Sequence, residues 1–201
     1  MVADHNLPKR ERKDIMQAQA QKVVNGVDTE ALTQTVEAIQ AQPEVAKFQF
    51  RATNRAVDGG LNRSEIREFH GALQEHRTDQ KGFEVTNDEP PVLLSRDQAP
   101  NPAEYAIQAL LGCMTTTTLY KAASQGIEIE SIRSEVEGDL DLQGMLGLDP
   151  DVRPGYQEIR ARLVIRTKGP RDVVRGFHRS SPVYDTLSRP VPIKVDVVFE
   201  D

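Results

Sequence analysis

Several residue types that usually carry chemistry are scarce in this chain of 201 amino acids. It has one cysteine, Cys113, no tryptophan and four histidines, which are His5, His70, His76 and His178. A single cysteine excludes a disulfide within the chain and any zinc site built from several cysteines. Any thiol chemistry must therefore use Cys113 alone or together with a second molecule.

Long apolar runs are missing as well. The longest candidate is interrupted by Gln108 and by the threonines of residues 115–118, so it falls short of the roughly 18 residues that a membrane-spanning helix needs. Residues 1–6 are polar and lead into a basic stretch, without the apolar segment of a secretory signal. We therefore expect a cytoplasmic protein that does not associate with membranes.

The charge pattern also limits which partners and ligands are expected. The net charge is −6, and basic residues are scattered among acidic ones, so no continuous basic surface is expected for nucleic acid. The acidic runs at residues 139–141 and 149–151 lack the spacing of a calcium loop and read as solvated surface. We expect neither a nucleic-acid partner nor a metal or other cofactor.

The first part of the chain, residues 1–45, is predicted to be a helical extension to a main domain of residues 46–201. Asp28 can cap a helix that ends before Pro43. Its apolar stripe is narrow and consists of Leu32, Val36 and Ile39. A helix with so narrow a stripe is expected to pack on the main domain or on a partner chain.

Alternating apolar and polar residues predict strands in the main domain. The predicted strands run from Phe48 towards a turn at Gly59-Gly60, and over residues 64–77, 83–85, 136–142, 159–165 and 191–199. Residues 64–77 also fit helical spacing, but His70-Gly71 in the middle favours a strand.

The strongest local signal is the segment Asn101-Pro102-Ala103-Glu104, which has the pattern of a helix capping box with proline at the first position. The helix that starts here is expected to end at Gln125-Gly126, after about 24 residues or roughly 36 Å. Apolar residues occupy most of its circumference, so we expect a central, buried helix. Shorter helices are predicted over residues 170–179 and from Ser181-Pro182. Helices against antiparallel strands indicate an α+β fold.

Cys113 lies about three turns into this long helix, where the helix dipole gives a thiolate little support. A nearby cation would be needed to favour the thiolate. Two interpretations remain open, because a lone cysteine in mid-helix is often only a small buried apolar side chain. No histidine spacing indicates a Cys-His pair, and no Gly-x-Ser-x-Gly motif surrounds Ser181.

The order of several short motifs resembles one family. Asp88-Glu89-Pro90 is followed by the segment APNPAEY at residues 99–105 and by ALLGC at residues 109–113. Further on, SPVYDTL at residues 181–187 precedes Arg189-Pro190-Val191. Together these motifs resemble the osmotically inducible protein C and organic hydroperoxide resistance family (OsmC/Ohr), over roughly residues 48–199.

The resemblance implies a fold and an activity. The fold is an intertwined homodimer, in which antiparallel sheets from both chains wrap two long central helices. The activity is thiol-dependent reduction of organic hydroperoxides, in which the helix cysteine becomes a sulfenic acid and a second cysteine resolves it. Cys113 matches the first cysteine, whereas Ser181 stands where the family normally has the second.

The resemblance also suggests the remaining site residues. Arg63 is the best match for the family's catalytic arginine, and Arg55 is the second choice. The family's catalytic glutamate usually follows the proline of the helix start directly, where this chain has Ala103. Glu104 comes one position later, so it is either that glutamate displaced or only the capping residue.

Two functions follow as hypotheses. The first is a one-cysteine peroxidase of oxidative-stress defence, an oxidoreductase that acts on organic hydroperoxides and needs an external thiol because serine cannot form a disulfide. The second is a non-catalytic relative that binds a small hydrophobic ligand at the dimer interface. The apolar neighbours of Cys113 suit both.

Overall fold

In the computed structural model, which describes residues 23–200, the chain forms two compact units, Met1–Gln108 (unit 1) and Ala109–Asp201 (unit 2). The helix predicted for the first 22 residues lies outside the described residues. The predicted boundary between an extension of residues 1–45 and a main domain stays a prediction. Among the helices of residues 23–200, none has the length and apolarity needed to cross a bilayer.

The described part of unit 1 begins with a hairpin, where a helix was predicted. Strands β1 (Val23–Val24) and β2 (Val27–Asp28) pair around Asn25 and Gly26, whose φ angles are 56° and 78°. An Asn-Gly pair favours this two-residue turn because both residues tolerate positive φ.

The predicted helix follows as α1 (Thr29–Ala41). An oxygen of Asp28 accepts from the amides of Glu30 and Ala31 at 3.0 Å each, which confirms Asp28 as the cap. A 3₁₀ turn over Pro43–Ala46 comes next. No side chain of α1 is buried by the rest of the described chain.

The remaining strands of unit 1 form two antiparallel sheets of three strands each. One has the order β3 (Gln49–Phe50), β6 (Phe69–Gly71), β7 (Gln74–His76), and the other has the order β4 (Thr53–Asp58), β5 (Leu61–Ile66), β8 (Phe83–Asn87). The region predicted as one strand over residues 64–77 is therefore extended, but it is divided into the end of β5 and the hairpin β6–β7. Ala72 and Leu73 turn that hairpin with φ angles of 47° and 65°.

A buried carboxylate holds the loop after β8. Asp88 is fully buried and accepts hydrogen bonds from the Ser95 hydroxyl, from the Glu89 amide at 2.9 Å and from the Gln98 amide at 2.9 Å. These donors, the Ser95 hydroxyl first, hold the pKa of the Asp88 carboxyl below its ordinary value. The loop thus reaches the helix start in a defined path.

The long helix α2 spans Pro102–Ser124, and Gly126 ends it with a φ of 66°. Its start and end confirm the sequence prediction, but its burial does not. Only one stripe is buried, formed by Leu110, Met114, Thr118, Ala122 and Ala123, whereas Ala109, Gly112 and Thr116 are exposed. The described chain covers one side of α2, so an apolar circumference does not mean burial all round.

In unit 2 this stripe is accompanied by the antiparallel hairpin of β9 (Ile129–Leu140) and β10 (Tyr156–Thr167). The predicted strand at residues 136–142 ends early, because Asp141 caps a short helix α3 (Leu142–Met145) through the Gln143 amide at 2.9 Å. On the solvent face of the hairpin, the Arg160 guanidinium lies 2.8 Å from Glu137 and 2.7 Å from Glu158.

The helix predicted over residues 170–179 is two short pieces, α4 (Arg171–Val174) and a 3₁₀ turn over Phe177–Ser180. Gly176, a poor helix former, lies in the break. Helix α5 (Pro182–Ser188) begins at Ser181 as predicted. Val174 and Phe177 join Ala122 and Ile127 in the buried core of unit 2.

The predicted final strand at residues 191–199 is wrong for the described chain, where these residues pair with no other strand. The apolar side chains of this segment are 48–90% exposed; they are Val191, Ile193, Val195, Val197, Val198 and Phe199. Alternation specifies which face a strand would bury, but a strand forms only where another strand offers hydrogen bonds. We call residues 191–199 the C-terminal tail.

Replacement of Asp88 by asparagine tests the buried carboxylate. A pKa below the unfolded value means that the ionised group stabilises the fold above about pH 4, and that this contribution disappears as the pH falls through the folded pKa. We expect Asp88→Asn to lower the free energy of unfolding at pH 7 and to flatten its decline below about pH 4. Urea unfolding across this pH range measures both effects. Asp97→Asn, at an exposed position of the same loop, should behave like the wild type, and equal stability of Asp88→Asn at pH 7 would contradict the assignment.

Adjacent valines offer a matched test of the unit 2 core. Val174 is 4% exposed and Val173 is 45% exposed. Val174→Ala should lower the free energy of unfolding by about 2 kcal/mol, since it removes buried methyl groups and leaves a cavity. Val173→Ala should change it by less than about 0.5 kcal/mol. Equal effects in urea unfolding would show that this core is not as described.

Candidate functional site

Cys113 lies on α2 at the edge of the buried stripe. The thiol is free and partly buried, and the next residue, Met114, is 2% exposed. Successive residues of a helix are turned by about 100°, so Cys113 stands between the covered side of α2 and the exposed side that carries Gly112. The residue is therefore not sealed in the core, unlike a fully buried structural cysteine.

Arg55 and Arg63 lie directly opposite each other on β4 and β5, and both are exposed. Residues in such opposed positions project from the same face of a sheet, and like charges there are unfavourable. Among residues 23–200, neither guanidinium forms an ion pair with a carboxylate. The two alternatives named from the sequence thus form one cationic patch on unit 1.

Glu104 takes part in the predicted capping box. An Oε of Glu104 accepts from the Asn101 amide at 2.9 Å, and Oδ1 of Asn101 accepts from the Glu104 amide at 2.8 Å. The amides of Asn101 and Glu104 are thereby both satisfied. The observed contacts of Glu104 are those of a capping residue, and a catalytic role for it stays a prediction.

Ser181 is fully buried and caps α5. Its hydroxyl oxygen accepts from the Tyr184 amide at 3.2 Å, and its amide donates to the His178 carbonyl at 3.0 Å. Cys113 and Ser181 are both in unit 2, but the described structure joins them by no hydrogen bond. The serine therefore has a structural reason of its own to occupy this position.

A cavity of about 760 Å³ lies within unit 2 and was not anticipated from the sequence. Its walls include Leu110 and Met114 of α2 and Leu163 of β10, and its polar lining includes Arg153 and Arg175. These arginines stand on a loop and beside a short helix, where no periodicity marks them. Nothing short of the folded arrangement could have identified them.

Among residues 23–200, no group of three or more histidine, cysteine, aspartate or glutamate side chains is placed to hold a metal ion. The acidic runs noted in the sequence are engaged differently. Asp139 accepts from Arg160 at 2.5 Å and 2.9 Å, and this guanidinium holds the pKa of the Asp139 carboxyl below its ordinary value.

One known protein family matches this chain by sequence. The sequence profile of the OsmC-like protein family matches residues 95–196, about half of the chain. This chain belongs to the OsmC-like family. The matched segment contains Glu104, Cys113 and Ser181, whereas Arg55 and Arg63 lie before it. No curated protein sequence matches the chain significantly.

Solved structures of OsmC-like proteins share the fold. The OsmC-like protein of Mycoplasma pneumoniae has a TM-score of 0.51 and 15% identity, over 70% of this chain and 87% of its own. An OsmC-like protein of unknown function from Vibrio cholerae has a TM-score of 0.51 and 14% identity, over 69% of this chain and 92% of its own. The α+β fold with antiparallel sheets predicted from the sequence is thus confirmed as OsmC-like.

A third similar structure is named an organic hydroperoxide resistance protein, from Legionella pneumophila. Its TM-score is 0.46 at 18% identity, over 69% of this chain and 88% of its own. A likeness of this degree supports no structural argument. The family and the fold therefore rest on the profile match and on the two preceding structures.

In this OsmC-like chain, the cap at Ser181 predicts a measurable stability effect. Ser181→Ala removes the acceptor for the Tyr184 amide and should lower the free energy of unfolding by about 1 kcal/mol. Ser180→Ala, at the adjacent exposed position, should change it by less than about 0.5 kcal/mol. Urea unfolding compares the two, and a silent Ser181→Ala would mean that the cap is not needed.

Proposed function

We propose that this OsmC-like protein is a one-cysteine thiol peroxidase that reduces organic hydroperoxides in oxidative-stress defence. The thiolate of Cys113 attacks the terminal peroxide oxygen, the O–O bond breaks, and the alkoxide takes a proton to leave as an alcohol. Cys113 is thereby oxidised to a sulfenic acid. The observation that carries this proposal is a single, partly accessible thiol inside the segment that matches the family.

The positive charges of Arg55 and Arg63, which lie opposite each other, support the proposal. A pair of unpaired, like-charged side chains on one face of β4–β5 is relieved when an anion approaches. A thiolate is such an anion, and a peroxide that gains negative charge as its O–O bond breaks is another. One of Arg55 and Arg63 is proposed as the cation that favours the Cys113 thiolate and orients the peroxide.

The second half of the cycle is proposed to use an external thiol. A serine hydroxyl cannot form a disulfide, and the Ser181 hydroxyl is already engaged as a helix cap. A small thiol would attack the sulfenic acid, release water and form a mixed disulfide, and a second thiol would then release Cys113. Such thiols are abundant in the cytoplasm, where we propose that the protein works.

The protein is further proposed to act as a homodimer. Two features of one chain support this. The C-terminal tail exposes six large apolar side chains without a strand to pair with, and α2 exposes the small residues Ala109, Gly112 and Thr116 on one side. Uncovered apolar surface of this extent is typical of an interface.

The deciding experiment follows the oxidation state of Cys113. Reduced protein is treated with cumene hydroperoxide, and the intact mass is measured with and without dithiothreitol. We expect one added oxygen, trapped by a sulfenic-acid reagent at Cys113, that disappears when the thiol is present. Cys113→Ser should neither gain this oxygen nor consume peroxide. An unmodified Cys113, or equal turnover by Cys113→Ser, would reject the proposal in favour of a non-catalytic relative.

Arginine variants test the cation. Arg63→Gln or Arg55→Gln should slow the oxidation of Cys113 by about a hundredfold, because a charged donor at the developing negative charge is lost. Arg67→Gln is the matched control, since Arg67 follows the same strand and already lies 3.6 Å from Glu65 and Glu68. Stopped-flow measurement of peroxide consumption gives the rates. Unchanged rates in both test variants would show that the cation comes from elsewhere.

A further inference from the structure

The cavity of unit 2 has the size and composition of a ligand site. Its volume of about 760 Å³ falls within the roughly 300–1,000 Å³ that small-molecule sites occupy. Apolar side chains from four elements line it, among them Leu110, Met114, Leu163, Val174 and Leu187. The α2 residues of this lining run from Leu110 to Thr118, a rise of about 12 Å along the helix. An elongated apolar body would cover these side chains.

This cavity is separate from the proposed catalytic sulfur. Cys113 is not among the residues that line it, although its neighbours Leu110 and Met114 are. Those two residues belong to the buried stripe of α2, and Cys113 stands at the edge of that stripe. A molecule in the cavity therefore lies against the buried stripe of α2, and Cys113 is not part of the cavity wall.

The charged groups of the lining indicate the sign of the ligand. Arg153 and Arg175 both line the cavity, and neither forms an ion pair with any residue that the structure describes. The one lining carboxylate, Glu158, lies 2.7 Å from the Arg160 guanidinium, so its charge is balanced. Two exposed guanidinium groups without a carboxylate partner beside an apolar wall favour an anionic ligand over a neutral one.

We propose that the unit 2 cavity binds a small amphipathic anion, with an apolar body against α2 and β10 and a carboxylate that meets Arg153 or Arg175. Arginine suits this role because its guanidinium donates two parallel hydrogen bonds to a carboxylate. The adjacent polar lining, in which the His178 ring stands edge-on to Tyr184 at 5.6 Å, supplies further hydrogen-bonding groups. The binding does not depend on peroxidase activity.

The test uses decanoate as the probe and decan-1-ol as its uncharged counterpart, each titrated into the full chain by calorimetry. Decanoate should bind at one site per chain and at least tenfold more tightly than decan-1-ol, since charge-assisted hydrogen bonds are the strong ones. Arg153→Gln or Arg175→Gln should weaken decanoate about tenfold and leave decan-1-ol unchanged. Arg162→Gln, on the opposite face of β10, should bind like the wild type.

A second pair of variants tests the place of binding. Ala161 is a small residue of the cavity wall, so Ala161→Trp should occupy part of the space and weaken decanoate binding at least tenfold. Arg162→Trp puts the same ring on the solvent face of β10 and should leave binding intact. Circular dichroism and urea unfolding confirm that both variants fold, and peroxide consumption by Ala161→Trp should remain that of the wild type.

Three results would overturn the proposal. One is equal binding of decanoate and decan-1-ol, which would remove the role of the arginines. Another is decanoate binding that Ala161→Trp leaves unchanged, which would place the ligand elsewhere. The third is absence of decanoate binding to the wild type; a simultaneous shift of Ala161→Trp to a smaller mass in sedimentation would then indicate that a second copy of the chain covers the cavity.

Discussion

The fold of unit 2 depends on one packing constraint, namely that a single stripe of α2 is excluded from water. Leu110, Met114 and Ala122 lie one turn or two apart on this stripe, and each is at most 5% exposed. The polar member of the stripe, Thr118, is accommodated because its hydroxyl donates to the Met114 carbonyl at 2.8 Å. The cavity and Cys113 are both positioned relative to this stripe. It determines which side chains face the cavity and leaves Cys113 at its edge, where the sulfur is neither sealed in nor fully exposed.

Two of the residues that identify the family by sequence also have plain structural tasks. Ser181 caps α5 through the Tyr184 amide, and Glu104 completes the capping box of α2 by accepting from the Asn101 amide. At these two positions a capping residue and a catalytic residue would look alike in sequence, because each is a polar side chain at a helix start. Motif resemblance alone cannot distinguish these roles, and only the partners seen in the folded chain show which task is being performed.

The sequence predicted those elements well that depend on interactions between residues near each other in the chain. The capping box at Asn101, the cap at Asp28 and the β9–β10 alternation all involve neighbours within a few residues or a repeating face, and the structure confirms them. In the single described chain the C-terminal tail pairs with no strand and only one stripe of α2 is buried, unlike the sequence prediction, because strand pairing and helix burial depend on what another part of the molecule or a second copy supplies. Alternation cannot indicate whether a pairing strand exists, and an apolar circumference cannot indicate how much of it is covered.

For the candidate site, the sequence likewise predicted residue types but not their arrangement in space. The sequence singled out Cys113 as the sole thiol, and its accessibility emerged only with the fold. The opposition of Arg55 and Arg63 requires the register of β4 and β5, which residue types alone do not specify. The cavity arginines, Arg153 and Arg175, come together only through tertiary structure, since no local pattern connects a loop after α3 with the end of α4.

The lone thiol has a consequence for how the chain endures oxidants. A protein with two neighbouring cysteines can store an oxidation as an internal disulfide, which resists further attack. In this chain no second thiol exists, so a sulfenic acid at Cys113 would meet either a reductant or another oxidant molecule. The second encounter leads to sulfinic and then sulfonic acid, and thiols reverse neither. The working lifetime of each molecule would then be determined by the ratio of reducing thiol to oxidant in its surroundings, and not by the strength of its fold.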